Sequence, residues 1–240
     1  MGNEFKVAIL YPSYAAFNSY GGFEGTWVHH GISSIIAYSE KRGQAIDLID
    51  LRRLKNWADF ENIIKKYNLV GYSILSQDVN TALKAIKINK QINPAVKICV
   101  GGVHVSLKKE DFLDNEEVDF IITGEGEAAF YNLTQALINQ EKTIRSTEGE
   151  KVALDELPNI NRQDWGREKP AGFIGLDEPF FTLISSRSCL YNCSFCQPCS
   201  KIVFGNKERT RSPRHVIKEI LELKAIYGMK SFFLIDDNVF

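Results

Sequence analysis

The chain has no surplus of charge. Its 29 Lys and Arg are balanced by 30 Asp and Glu, a net charge of -1 over 240 residues, which argues against a protein that wraps nucleic acid or rides on an anionic membrane. Long apolar runs are missing as well: no stretch approaches the ~18 residues of a membrane span. The start, Met1 to Lys6, has no basic segment followed by an apolar one, so no secretion signal is read there. Lys6 also breaks the myristoylation pattern that would begin at Gly2. Cysteine is almost absent from the first 188 residues, where Cys99 stands alone in the apolar run Val96 to Val100 and reads as a small buried hydrophobe.

What is present is an ordinary globular composition. Hydrophobic residues make up 44% and charged residues 25%, values that exclude disorder, collagen and coiled coil. Length divided by ~150 allows one or two domains. The other four of the five cysteines, Cys189, Cys193, Cys196 and Cys199, fall within eleven residues. Without a secretion signal such a group reads as a metal or cluster site rather than a disulfide framework, and it implies a reducing, cytoplasmic setting.

Periodicity organises the rest. Residues 5–12 read as a buried strand stopped by Pro12, and a loop rich in Ser, Tyr and Gly follows. Trp27, Val28, Ile32, Ile35 and Ile36 recur at helical spacing, with Gly43 just past the end. Strands are then expected over 45–51, 69–75, 96–100 and 118–122. Helices are expected around Trp57 to Ile64, from Val79 to a stop at Asn93-Pro94, and around Phe130 to Leu137. Short Val- and Ile-rich strands alternating with helices predict an α/β fold, a doubly wound parallel sheet over 1–140 with helices on both faces. Residues 141–179 lack a long periodic segment and read as a connector.

A second unit spans 180–240. Phe180 to Ser185 is a strand, the cysteines follow, and Ser212-Pro213 opens a helix that Gly228 ends. Ser231 to Ile235 is one more strand, leading into Asp236-Asp237-Asn238. Strand, helix and strand are too little to close a barrel, which needs about 200 residues. The expectation is a truncated chain or a split protein, with Phe232, Phe233 and Val239 facing a missing neighbour.

The cysteine spacing is Cys189-x3-Cys193-x2-Cys196, with Phe195 before the third thiol. Thiolates suit zinc or an iron–sulfur cluster. A zinc site built from all four cysteines is the bland alternative, but such sites pair two separated knuckles and no second knuckle is present. Cys199 by itself reads as a bystander thiol. The spacing and Phe195 resemble the radical S-adenosylmethionine (SAM) superfamily. The runs Arg209 to Pro213 and Phe232 to Asn238 resemble it too. The resemblance implies the first βαβ portion of a partial TIM barrel. It implies a [4Fe-4S] cluster on Cys189, Cys193 and Cys196 whose open iron chelates SAM, and reductive cleavage of SAM to a 5′-deoxyadenosyl radical. Asp236 or Asp237 would accept from the SAM ammonium; surface-facing acids at a strand end are the equal alternative. Ser188 and Leu190 depart from the Gly and Pro that often flank the first cysteine.

Three turns fall beyond the strand ends of the first unit, where ligands sit in doubly wound folds. They carry Ser73 and Leu75, Gly101 and Gly102 followed by His104, and Gly124 to Glu127 including Gly126. Glycine there lets a bulky ligand approach the backbone. From about Lys6 to Leu137, and again at Leu154 to Pro158, the pattern resembles the B12-binding domain that precedes many radical SAM enzymes. That implies cobalamin on these turns. No histidine occurs in 13–22, where many B12-binding proteins place their cobalt ligand. His104 either faces the ligand or is hydrogen-bonded locally, the second being preferred. His29 and His30 read as a capping or surface pair, and Glu125 and Glu127 as dipole partners at a helix start.

The resemblance implies an enzyme that uses cobalamin, a cluster and SAM, with methyl transfer to an unreactive carbon as the commonest outcome and cyclisation or rearrangement as the runner-up. A non-catalytic cobalamin- or cluster-binding module is the rival. The expected partners are SAM, an unknown substrate, an electron donor such as flavodoxin or ferredoxin, and a partner chain or second copy. Neither nucleic acid nor membrane is expected.

Overall fold

The computed structural model describes residues 5–18, 28–165, 176–194 and 199–239. The first unit contains β1 (Val7–Tyr11), α1 (His30–Glu40), β2 (Asp47–Asp50), α2 (Trp57–Ile64), β3 (Leu69–Ser73), α3 (Val79–Ile92), β4 (Lys97–Gly101), the short helices α4 (Val103–Leu107) and α5 (Glu110–Leu113), β5 (Phe120–Gly124), α6 (Gly126–Ile138) and β6 (Ser146–Gly149). The six strands form one parallel sheet in the order β2-β1-β3-β4-β5-β6.

Alternation along the strands divides the core in two, as the period of two requires. Ala8, Leu10, Val70, Ile98 and Val100 pack with Phe60, Ile64, Ala85 and Ile86 of α2 and α3. Val7, Ile9, Leu69, Cys99 and Ile122 pack with Ile32 and Ile36 of α1 and Phe130 of α6. Cys99 is therefore buried, and burial pushes its thiol pKa far up, as suits a packing residue.

The sheet takes in more chain than the sequence predicts. Residues 146–149 lie in the expected connector, yet they pair in parallel with β5. Their side chains are mostly exposed and none is a large hydrophobe, so this edge strand carries no apolar alternation. Another part of the connector docks: Leu154 and Leu157 are buried against Tyr38 of α1 and Ala128 of α6.

The second unit contains β7 (Phe180–Leu183), β8 (Ser186–Arg187), α7 (Cys199–Phe204), β9 (Arg209–Thr210), α8 (Pro213–Tyr227) and β10 (Ser231–Leu234). β7 and β10 pair in parallel. Ser212 caps α8 by accepting from the His215 N–H, Pro213 holds the first turn, and Gly228 ends the helix at φ 68°. Leu223 of α8 packs on Phe181 and Leu183 of β7. β8 and β9 pair antiparallel, Arg187 opposite Arg209, which closes the base of the loop that carries the cysteines. This ladder and α7 are absent from the sequence expectation. No helix among the described residues is long and apolar enough to cross a membrane.

Candidate cofactor cavity and cysteine loop

A cavity of about 230 Å³ opens at the carboxyl ends of β3, β4 and β5, between the sheet and the second unit. Its sheet-side wall holds Ser73, Leu75, Gly101, Gly102, Gly124 and Gly126, and its floor is apolar, from Ile9, Ile35, Cys99 and Phe130. Its far wall comes from the second unit: Ile184, Ser186, Arg187, Phe204, Ile235 and Asp237. Gly102 adopts φ +99°, and a Cβ there would stand 2.7 Å from the backbone N and 2.9 Å from the backbone O of Ile74. Backbone cannot yield to such a contact, so only glycine fits this turn. Ser186 is buried, lines the cavity, and its Oγ has no hydrogen-bond partner among the described residues. A buried hydroxyl left unpaired on a cavity wall is a donor placed for an occupant.

Two acidic candidates separate. Asp236 is already committed: its Oδ1 accepts from the backbone N–H of Ser185 at 2.7 Å and of Ser186 at 3.1 Å. Its Oδ2 accepts from the Ser185 hydroxyl. It therefore shapes the turn after β7. Asp237 lines the cavity instead. His104 is buried off the cavity wall, its Nδ1 3.0 Å from Ser76 Oγ and its Nε2 3.0 Å from Asp111 Oδ2. The geometry favours the local role for this side chain.

His29 and His30 are not a surface pair. Both line the cavity. His29 caps α1, its Nδ1 accepting from the Ile32 N–H at 3.2 Å, which places the proton of the neutral ring on Nε2. Burial, reinforced by the Arg52 charge, lowers its pKa to about 4. Nε2 of His30 pairs with Thr182 Oγ1 of β7 at 2.9 Å, and burial and then Arg162 hold its pKa well below the usual histidine range. Helical periodicity describes the interior of a helix, so it carries no signal for what the first turn of α1 faces.

Glu125 and Glu127 also do more than meet a helix dipole. Arg187 extends Nη1 to Glu125 Oε2 at 2.9 Å and Nη2 to Glu127 Oε1 at 2.6 Å. Arg209 reaches the other oxygen of Glu125. Burial alone would raise the Glu127 pKa, but the charge and hydrogen bond of Arg187 outweigh it and hold the carboxyl below its ordinary value.

The cysteine loop leaves β8 through Ser188, which sits at φ 75°, a left-handed conformation that favours glycine. Its hydroxyl donates to the Gly205 carbonyl just after α7. Ser188 thus keeps the backbone shape that the expected glycine would give. Cys189 is half-buried and Cys193 exposed, both as free thiols. Phe195 and Cys196 lie outside the described residues, and Cys199 begins α7.

Residues 21–134 match the B12 binding domain family. In fold the chain is similar to cobalamin-dependent radical SAM enzymes. It is 30% identical over 204 residues to an uncharacterized methyltransferase of Pyrococcus horikoshii, covering 76% of this chain and 42% of that protein. It is 24% identical over 259 residues to the anaerobic magnesium-protoporphyrin IX monomethyl ester cyclase of Rubrivivax gelatinosus, covering 97% of this chain and 45% of that one. The fold is that of the radical SAM methyltransferase TsrM from Kitasatospora setae, a structure with tryptophan and a SAM analog bound. TM-score is 0.73 at 16% identity, covering 96% of this chain and 47% of that one. A second TsrM structure, with cobalamin and a [4Fe-4S] cluster bound, matches with TM-score 0.69, 16% identity and coverage of 99% and 49%. The chain thus spans about half the length of the curated relatives it matches.

Proposed function

We propose that this chain contributes the cofactor-holding half of a cobalamin-dependent radical SAM enzyme that transfers a methyl group to an unreactive carbon. The observation that carries the reading is the shared wall. The glycine- and serine-bearing strand ends and the strand that leads into the cysteine loop line one cavity from opposite sides.

The residues fit the groups. For cobalamin, the strand-end cavity has an apolar floor, a turn at Gly102 that no Cβ can enter, and an unpaired Ser186 hydroxyl. For a cluster, Cys189 and Cys193 are free thiols on a loop closed by β8 and β9, and Cys196 completes the donor set in the sequence. The chemistry that a cluster there would supply is one-electron reduction of SAM. The chain's own residues do the rest. Asp237 on the cavity wall is the acceptor for the SAM ammonium. Asp236 holds the Ser185–Ser186 backbone that forms part of the same wall. The apolar floor keeps water from the buried part of the occupant. An electron donor such as flavodoxin or ferredoxin fits this scheme.

Cyclisation is the second reading, favoured by the cyclase relative that aligns along nearly the whole chain. Both readings place the same cofactors on the same residues.

If cobalamin binds here, the hydrogen bonds already made by the nearby histidines argue against any of them serving as a ligand to cobalt. Both His104 nitrogens are already hydrogen-bonded. The Nδ1 of His29 caps α1 and the Nε2 of His30 binds Thr182. Titration of the folded chain with hydroxocobalamin tests the site, with the electron paramagnetic resonance of the reduced complex as readout. Binding without nitrogen splitting from a protein histidine is expected, and Gly126→Leu, which inserts a side chain into the wall, should abolish it. Failure of the wild-type chain to bind would overturn the reading. Splitting that disappears in His104→Ala or His29→Ala would overturn the claim about the axial ligand.

A further inference from the structure

The cysteine loop is fastened to the cobalamin-side unit at both of its ends. Its entry strand β8 sends Arg187 to Glu125 and Glu127, and its exit strand β9 sends Arg209 to Glu125. The two arginines face each other across the β8–β9 ladder. Both carboxylates belong to the turn that opens α6: Glu125 immediately precedes the helix and Glu127 is in its first turn. Their side chains are almost fully buried, at 0% and 3% exposure. Arg187 itself lies two residues before Cys189, and its guanidinium stands 5.4 Å from the ring of Phe204, which ends α7 on the far side of the cysteines. Arg187, Glu125, Glu127 and Phe204 all line the cavity.

From this arrangement we infer that Arg187 is a positioning residue that couples the two sites: the conformation of the cysteine loop answers to what fills the strand-end cavity, and the affinity of the cavity answers to what the cysteines hold. The inference rests on the reading proposed above. The turn before α6 and the Arg187 side chain both form part of the wall that an occupant of the cavity would meet. Arg187 spans two carboxylates with one rigid fork, so displacement of either carboxylate moves the guanidinium. The guanidinium is joined to the β8 backbone that starts the cysteine loop, and Arg209 passes the same displacement to its exit. Coupling of this kind is reciprocal, so it can be read from either site.

The test compares hydroxocobalamin affinity in protein reconstituted with iron and sulfide and in the same protein stripped of iron. In the wild-type chain the two dissociation constants should differ by about fivefold or more. In Arg187→Gln and Glu127→Gln the ratio should collapse towards unity, whatever the change in the absolute affinity. Arg187→Lys keeps the buried positive charge but not the fork. It provides a variant that retains the fold, and it should lose most of the ratio. A ratio in these variants equal to that of the wild type overturns the inference, as does a wild-type ratio of one. In both cases hydroxocobalamin binding itself leaves the proposed function standing. A wild-type chain that binds no hydroxocobalamin overturns the proposed function, and the inference with it.

Discussion

The two units of this molecule are held together by different forces. In the sheet unit, strands β1, β3, β4 and β5 bury alternate residues against helices on both faces, and the core residues are almost all apolar. In the second unit the apolar core is small, built around Phe181, Leu183, Leu223 and Met229. Phe232 and Phe233 of β10 remain 41% and 42% exposed, and Ile217, Leu221 and Ile226 of α8 are exposed as well. Its attachment to the first unit is largely ionic and polar. Buried Glu219 holds Arg162 of the connector, which Trp165 in turn fastens to α1 by donating to Ser33 at 2.7 Å, while Arg187 and Arg209 reach Glu125 and Glu127. Apolar packing is tolerant of pH and of small shifts. A buried ionic joint is sensitive to the loss of any one member. The chain therefore carries one rigid platform and one adjustable part, and the cavity lies between them.

The sharpest way to test this contrast is to damage each part separately. Phe60→Ala removes a fully buried ring between α2 and the sheet. It should cost about 3–5 kcal/mol and lower the main thermal transition. Glu219→Gln removes the buried carboxylate that Arg162 and Arg211 share. It should cost about 3 kcal/mol, confined to the second unit. Hydrogen exchange should show protection lost in β7 and β10 while β1, β3 and β4 stay protected. Equal loss of protection in the sheet would mean that the two units unfold as one.

Acid should act at the first turn of α1 as well as on the joint. His29 has a folded pKa of about 4 against an ordinary value of 6.5. The unfolded chain binds the proton first, so stability is lost as pH falls from about 6.5 towards 4, by up to about 3 kcal/mol. Glu127 has a depressed folded pKa. Its contribution is present above the ordinary carboxylate pKa and disappears as pH falls through the lower, folded one. His29→Asn keeps a helix cap and removes the titration. Its denaturation midpoint should fall less steeply over the His29 window than that of the wild type. An unchanged slope would contradict the assignment.

Ser188→Gly should have the smallest effect. Relief of the positive φ and loss of the bond to Gly205 oppose one another, for a net change within about 1 kcal/mol. A large destabilisation would show that the hydroxyl, not the backbone shape, holds the loop entrance.

The platform was legible in the sequence because its core strands are short apolar runs, β3, β4 and β5 ending in glycine or serine, and its helices have one apolar face. The place of Ser73, Gly101, Gly102 and Gly124 at strand ends follows from those same runs. β6 was not legible, since Ser146 to Gly149 is a polar edge strand fixed only by its pairing with β5. β8 and β9 have two residues each, too few for any period. The ties from Arg187 to Glu125 and Glu127 join residues about sixty positions apart, and no local pattern encodes such a pairing. The inward aim of His29 and His30 was hidden for a related reason: it is set by contact with Ile32 and Thr182, not by spacing.

The proposed function requires Cys189, Cys193 and Cys196 of the second unit to form a cluster site beside the cavity. Anaerobic reconstitution with iron and sulfide, followed by iron, sulfide and zinc analysis, tests it directly. The wild-type chain should take up iron together with acid-labile sulfide and become oxygen-sensitive. Replacement of all three cysteines by Ala should abolish that uptake, while Cys199→Ala should leave most of it. Stoichiometric zinc with no acid-labile sulfide would contradict the account.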